Sequence, residues 1–313
     1  MGDIVLAADL GGTNLRMAAV RRDGQLIHRE QCPTPHDDDP MQIVKAIGRL
    51  AKDCRSAIAG ADADAAGVAA PVLMNAATGS VHSAPNLPML NGFRFSEALE
   101  KEIGLRVFLE NDANAAAIGE HWLGASCGIA NSICVTLGTG VGGGIILDGK
   151  PLRGPDGTAG ELGHICVEPD GHPCPCGSWG CVEQYSSATA VVRIAREISE
   201  RAKGSISENL WLSAFEVYEA ALCSDPVAIE SFRLMGCYLG IALAGLVNVL
   251  NPELVVISGG LASAWDVFIE STRDQITKRA FREPALRVKL VRAKLGDDAG
   301  ILGVARLAFL SLQ

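Results

Sequence analysis

Two segments of this chain follow one plan, and that repetition limits the folds open to it. Ile4–Val20 reads IVLAADLGGTNLRMAAV: an apolar run, a Gly-Gly turn and a second apolar run. Ser132–Leu147 reads SICVTLGTGVGGGIIL, the same plan with a longer glycine turn. Each reads as a β-hairpin whose turn takes positive φ or lets a ligand approach the backbone. Further strands are predicted at Gln25–Arg29, Ala66–Ala70 and Val107–Glu110 after the first hairpin, and at Leu254–Ser258 and Val288–Arg292 after the second. Apolar residues at helical spacing predict helices over Pro40–Ala57, Thr189–Ala202, Pro226–Leu250, Ser263–Ala280 and Asp297–Leu310, the last packing back on the N-terminal half. Pro33–Pro40 and Lys203–Ser207 read as loops. The expected class is α/β: a duplicated unit forming two domains that flank a cleft, with no flexible linker between them. The smaller domain is expected to hold residues 1–116 and 297–313, and the larger residues 117–296.

With 48% hydrophobic residues in 313, the chain can bury a substantial core without disulfides. A net charge of −9 gives no general attraction to nucleic acid or anionic lipid, and no local basic patch is legible, so neither a nucleic-acid nor a membrane partner is expected. The opening MGDIVLAADLGG lacks the features of a signal peptide. The apolar stretch Ile241–Leu250 is broken by Gly245 and Asn248 and is too short to span a bilayer. Ten cysteines without a leader suggest a reducing, cytoplasmic setting. Cys32, Cys54, Cys127, Cys134, Cys166, Cys223 and Cys237 are scattered and read as small buried apolar residues.

The glycine turns carry the first chemistry. Asp9-Leu10-Gly11-Gly12-Thr13-Asn14 offers backbone N–H groups, the Thr13 hydroxyl, and in Asp9 a carboxylate able to hold Mg²⁺ directly or through water. A tight hairpin needing two glycines for geometry alone is the competing reading. Gly138-Thr139-Gly140-Val141-Gly142-Gly143-Gly144 has five glycines in seven residues, more than a hairpin requires. A third pair, Gly259-Gly260, lies between the strand VVIS and a helical stretch, where backbone can approach a nucleotide. Neither a Walker A sequence nor a GxGxxG after a strand is present. Three such turns in this order point to a nucleotide cleft between two halves.

Glu110-Asn111-Asp112-Ala113-Asn114 follows the strand VFL and opens a helix. Asp112 is either an N-cap carboxylate or a proton acceptor for a hydroxyl undergoing phosphoryl transfer, with Asn111 fixing that hydroxyl. Asn86, in Pro85-Asn86-Leu87-Pro88, is a further polar group on a rigid loop, or an ordinary turn residue.

Residues 160–185 read GELGHICVEPDGHPCPCGSWGCVEQY. Cys174, Cys176 and Cys181, with His164 ten residues before the first, would complete a closed tetrahedral Zn²⁺ shell. A redox pair or loop packing is the alternative for the cysteines, and His172 is a rival fourth ligand. Pro173 and Pro175 stiffen this loop, while Gly177 and Gly180 let it turn tightly.

The order DLGGTN, LGTGVGGG, VVISGGLA resembles the actin-like ATPase (ribonuclease H-like) superfamily, in which the first two turns bind phosphates and the third lies by the adenosine. GELGH followed by CxCGxxGCxE is similar to the signature of the ROK family (repressor, open reading frame, kinase), and the match runs from Asp9 to LGDDAGILGVA, nearly the whole chain. The resemblance implies an ATP-dependent hexose kinase. It makes His164, Cys174, Cys176 and Cys181 the structural zinc ligands, Asp112 the base, and Asn111, Glu161, His164 and Glu183 the sugar wall. Asn14 stands where many relatives carry Lys, which removes a cationic phosphate contact. Glucokinases look nearest, with PNLP before the catalytic strand and EQYSSATAV after the zinc loop. An N-acetylmannosamine or fructose kinase is the runner-up, and polyphosphate an alternative donor. A sugar-responsive repressor is disfavoured because the first strand begins at Asp3 or Ile4, leaving no room for a DNA-binding segment. The family also leads one to expect a homodimer.

Overall fold

The computed structural model describes residues 3–58, 62–74, 79–203 and 211–312; of the loop expected at Lys203–Ser207, everything from Gly204 on lies outside them. Contacts divide the chain into two units: Met1–Ala130, Gly144–Gly160 and Lys294–Gln313 form the first, Asn131–Gly143 and Glu161–Ala293 the second. Compared with the expected bounds, residues 117–130, 144–160 and 294–296 group with the first unit. A boundary at residue 116 would cut a continuous helix, Asp112–Leu123.

In the first unit β1 (Ile4–Leu10), β2 (Asn14–Arg21), β3 (Leu26–Pro33), β4 (Ala66–Ala70) and β7 (Val107–Asn111) form a sheet of order β3-β2-β1-β4-β7. The two strands β5 (Leu73–Met74) and β6 (Val81–Ser83) pair separately. β1 to β3 run antiparallel, while β1, β4 and β7 are parallel. β1 is apolar on both faces because it sits in the middle, whereas the edge strand β3 alternates exposed and half-buried positions. α1 (Pro40–Ala57) is capped by Asp39, has Pro40 in its first turn, and buries Ile43, Val44, Ile47, Leu50, Ala51 and Cys54 against the sheet. α2 (Phe95–Ile103) was not legible: nine residues carrying Phe95, Leu99 and Ile103 are too few to establish a period. α3 (Asp112–Leu123) follows β7 directly.

One surface feature of this unit departs from the sequence reading. Lys45, Arg49, Lys52 and Arg55 line a cavity of about 650 Å³ together with Asp62 and Glu102 of the α1–α2 region. Helical spacing assembles a basic cluster that the linear sequence scatters.

The second sheet, of order β10-β9-β8-β11-β12, repeats the order of the first. It comprises β8 (Ser132–Leu137), β9 (Val141–Leu147), β10 (Lys150–Pro151), β11 (Leu254–Ser258) and β12 (Lys289–Arg292). The division between units falls within β9, after Gly143. The second unit also holds α4 (Glu183–Ser186), α5 (Ala188–Lys203), α6 (Ala214–Leu222), α7 (Pro226–Leu250), α8 (Trp265–Arg279) and α9 (Arg282–Arg287). α7 as a whole is long and apolar enough to cross a membrane, longer than the stretch the sequence suggested. Its small residues serve packing instead: a Cβ on Gly236 or Gly240 would come within 2.4 and 2.6 Å of the Phe268 and Thr272 carbonyl oxygens of α8.

α10 (Ala299–Ser311) returns the chain to the first unit, as expected, and packs on α3 and the sheet. The helices meet backbone to backbone: a Cβ on Gly303 would sit 1.7 Å from the Ala115 carbonyl oxygen, and one on Gly119 2.2 Å from that of Ala299. Glu120 of α3, fully buried, secures the return by accepting from the N–H groups of Ala125, Lys294 and Leu295.

The scattered cysteines divide. Cys54 and Cys134 are buried as expected, Cys32 and Cys237 are half-buried, and Cys127, Cys166 and Cys223 are exposed. Cys223 caps the end of α6 and Cys127 lies in the turn after α3, positions that face solvent.

Candidate active site

Parallel pairing brings two candidate segments of the first unit to the carboxyl end of one sheet. Asp9 lies opposite Ala69, and Ala69 opposite Glu110, so the β1–β2 turn and the β7–α3 junction both leave from the carboxyl ends of neighbouring strands. Loops there are where open α/β sheets bind ligands.

In the first turn the Gly11 N–H donates to the Asn14 carbonyl at 2.9 Å, so the hairpin uses it. Thr34 holds the other side: its N–H donates to the Thr13 carbonyl at 2.9 Å and its hydroxyl to the Gly11 carbonyl at 2.7 Å. The N–H groups of Gly12 and Thr13 are left without a partner among the described residues. Neither Gly11 nor Gly12 has positive φ, and a Cβ on Gly12 would meet nothing within 4 Å. The two glycines differ: a Cβ on Gly11 would come 3.1 Å from the Asn14 carbonyl oxygen, so Gly11 serves the tight turn, while the space over Gly12 is open. Asp9 is ion-paired to Arg16 at 2.7 Å, and Arg16 also reaches Asp297 at 3.3 Å. Burial pushes the Asp9 carboxyl above its ordinary range, with the Arg16 guanidinium pulling against it.

At the β7–α3 junction the cap is Asn111, not Asp112. Asn111 Oδ1 accepts from the N–H groups of Ala113 and Asn114 at 3.0 and 3.2 Å, and its Nδ2 donates to the Val72 carbonyl at 3.4 Å. Asp112 is the first helical residue, half-buried, its Oδ1 accepting from the Ala113 N–H at 2.8 Å. Asn111 has the extended backbone a cap requires, which frees Asp112 from that duty. Nothing in the local sequence signals what braces this junction. Glu110, buried, accepts from Arg153 Nε at 2.8 Å and Nη2 at 2.6 Å, and from Asn114 Nδ2 at 3.4 Å. Asn114 Oδ1 is itself buried without a partner. Asn86 is exposed in a turn closed by the Leu87 N–H on the Ala84 carbonyl; Asn91, not Asn86, staples that loop by accepting from the Ala84 N–H at 2.8 Å.

In the second unit two glycine turns leave the adjacent parallel strands β8 and β11, with Thr136 opposite Ser258. Gly259 has φ +84°, and a Cβ there would lie 2.3 Å from the Leu137 carbonyl oxygen, so no other residue fits; Gly260 faces open space. In the Gly138 turn the Gly138 N–H donates to the Gly140 carbonyl at 3.0 Å, and the Val141 N–H to Glu183 Oε2 at 2.9 Å. The N–H groups of Thr139 and Gly140 are without a partner among the described residues, and Gly138 serves the turn itself.

The Cys/His loop closes on itself. The Cys174 N–H donates to the Ser178 carbonyl, Gly180 to His172, and Val182 to Ile165, with positive φ at Gly177 and Gly180. One ligand atom from each of His164, Cys174, Cys176 and Cys181 lies within 4.8 Å of the others. Cys174 Sγ is 3.7 Å from His164 Nδ1, and Cys176 Sγ 3.7 Å from Cys181 Sγ. That is too long for a disulfide and matches the edge, about 3.8 Å, of a tetrahedron with metal–sulfur bonds of about 2.3 Å. Burial pushes the Cys181 thiol up to about 12, and its two thiol neighbours add to the shift. His172 is turned elsewhere: its Nε2 is 2.6 Å from Arg193 Nη1, and its N–H donates to the Tyr185 hydroxyl. His164 Nε2 faces Glu161 at 3.8 Å, where burial raises the Glu161 carboxyl.

Comparison with known proteins places the chain in a family. The ROK family pattern matches residues 5–310. The chain belongs to the ROK family. It is 37% identical to the glucokinase of Halalkalibacterium halodurans over 95% of this chain and 92% of that one. The ROK hexokinase of Thermus thermophilus superposes with a TM-score of 0.83 at 33% identity, covering 99% of both chains. The ROK family glucokinase of Streptomyces griseus, solved in complex with glucose and AMPPNP, gives 0.81 at 34% identity over 97% of this chain and 98% of that one. The fold is accordingly the two-domain actin-like ATPase fold of ROK sugar kinases.

Proposed function

We propose that this chain is an ATP-dependent hexose kinase that converts glucose to glucose 6-phosphate. The observation that carries the proposal is the position of Asp112, the first residue of α3 at the carboxyl end of β7, where Asn111 and not Asp112 supplies the cap. Phosphoryl transfer asks a protein for position and charge stabilisation plus one proton acceptor. Asp112 takes the proton as the sugar hydroxyl oxygen bonds to the γ-phosphorus and the bond to ADP breaks. The N–H groups of Gly12, Thr13, Thr139 and Gly140 meet phosphate oxygens, while Gly11 and Gly138 shape the turns. Gly259 and Gly260 admit the nucleoside. Asp9, directly or through water, would hold Mg²⁺, which supplies charge neutralisation on the phosphates.

The proposed sugar ligands are Glu161, His164 and Glu183, together with Asn86 and Asn111. Zn²⁺ would be held by His164 Nδ1 and the thiolates of Cys174, Cys176 and Cys181. A closed shell leaves no open position, so its role is structural. Ligation through Nδ1 puts the His164 proton on Nε2, a donor beside Glu161. The chemistry is that of a cytoplasmic enzyme with reduced thiols. Steady-state assays with Mg-ATP and glucose, mannose, fructose, allose or N-acetylated hexosamines test the reading, with polyphosphate as a second donor. Glucose is expected to give the highest kcat/KM; a higher value for N-acetylmannosamine or fructose would reassign the substrate, and no turnover with any sugar would end the kinase proposal.

A further inference from the structure

A carboxylate two residues from a metal ligand, placed to bind sugar, also touches the phosphate turn. Glu183 Oε2 accepts the Val141 N–H at 2.9 Å. Gly140 makes room for it, since a Cβ there would come 2.3 Å from Oε2. The other side of Val141 is held as tightly: a Cβ on Gly163 would lie 2.0 Å from the Val141 carbonyl oxygen. Gly163 belongs to the GELGH segment that also carries Glu161 and His164. Behind the turn, the Ala188 N–H donates to the Gly138 carbonyl at 2.8 Å and the Thr189 hydroxyl to the Thr139 carbonyl at 3.0 Å. Both donors lie just past α4, which Glu183 opens. The glycine turn is thus gripped on three sides by the two segments that flank the Cys/His loop.

We infer that Glu183 is a positioning residue for the nucleotide as well as a sugar ligand: one oxygen fixes the Gly138–Val141 turn and the other remains for a sugar hydroxyl. The inference rests on reading that turn as a phosphate site. A negative charge beside a phosphate turn opposes anion binding, and the order it imposes on the turn offsets that repulsion. Here it fixes a turn whose glycines would otherwise sample many conformations. A hydroxyl bound to one oxygen of a carboxylate constrains the other. Sugar therefore steadies the turn, nucleotide meets it already ordered, and by linkage each ligand tightens the other.

The test is calorimetric titration of zinc-loaded protein with Mg-AMPPNP in the absence of sugar, where a residue that only binds sugar has no effect. Glu183→Ala is expected to weaken AMPPNP about tenfold, the scale of one hydrogen bond to a charged group. Glu183→Gln keeps an acceptor for the Val141 N–H and is expected to stay within about threefold of wild type, while losing sugar affinity. Glu161→Gln, whose side chain faces His164, is expected to leave sugar-free AMPPNP binding unchanged. Metal content of one zinc per chain in each variant shows that the loop is intact. Wild-type AMPPNP affinity in Glu183→Ala, or an equal loss in Glu183→Gln and Glu161→Gln, overturns the inference and leaves the kinase proposal standing. Failure of the wild-type protein to bind AMPPNP overturns both.

Discussion

At the scale of single residues, the chemistry turns on which side chains are spoken for. Asn111 and Asp112 are neighbours with different positions: Asn111 caps α3 through two N–H groups, and Asp112, the first helical residue, is the proposed base. Asp112→Asn is therefore expected to keep glucose affinity and lower kcat by about 10²- to 10⁴-fold, the usual contribution of a positioned base. Undiminished sugar-dependent ADP production in that variant would remove Asp112 from the mechanism. The DLGGTN, END and CxCGxxGC motifs were legible because they are local. The bonds that decide which atoms are free were not. Glu110 meets Arg153 forty-three positions away, and Glu183 reaches Val141 across forty-two. Such pairings depend on how the strands place their ends, which no short window of sequence contains.

At the scale of elements, the Cys/His loop and the α3–α10 contact are the two structural bets. Cys176→Ser removes one thiolate from a four-ligand shell and is expected to lose zinc, measured by atomic absorption, and sugar affinity together. Full glucose affinity in a zinc-free Cys176→Ser protein would reduce the loop to a fold staple. Gly303→Ala forces a methyl against the Ala115 carbonyl, so urea unfolding should show a loss of about 1–3 kcal/mol, typical of overpacking. An unchanged midpoint would mean that α10 shifts freely on α3. α1, α7, β4 and β11 occupy the predicted spans, since each has strong periodicity or a clean apolar run between turn residues, while α5, α8 and α10 differ from theirs by one or two residues at the ends. α2, α6 and α9 escaped because nine residues or fewer make too little of a helical period.

At the scale of the whole molecule, two sheets of like strand order each carry glycine turns at their carboxyl ends, and the chain returns to the first unit through α10. The duplication was legible from the paired glycine hairpins. The unit boundary was not, because β9 runs without a break from one unit into the other. The most direct test follows ³¹P resonances of wild-type protein incubated with glucose and Mg-ATP, beside Asp112→Asn. The account predicts that ADP and glucose 6-phosphate appear one for one in the wild type and at a rate at least a hundredfold lower, ~10², in the variant. ADP without a sugar phosphate, or no change in the ATP resonances at all, would contradict it.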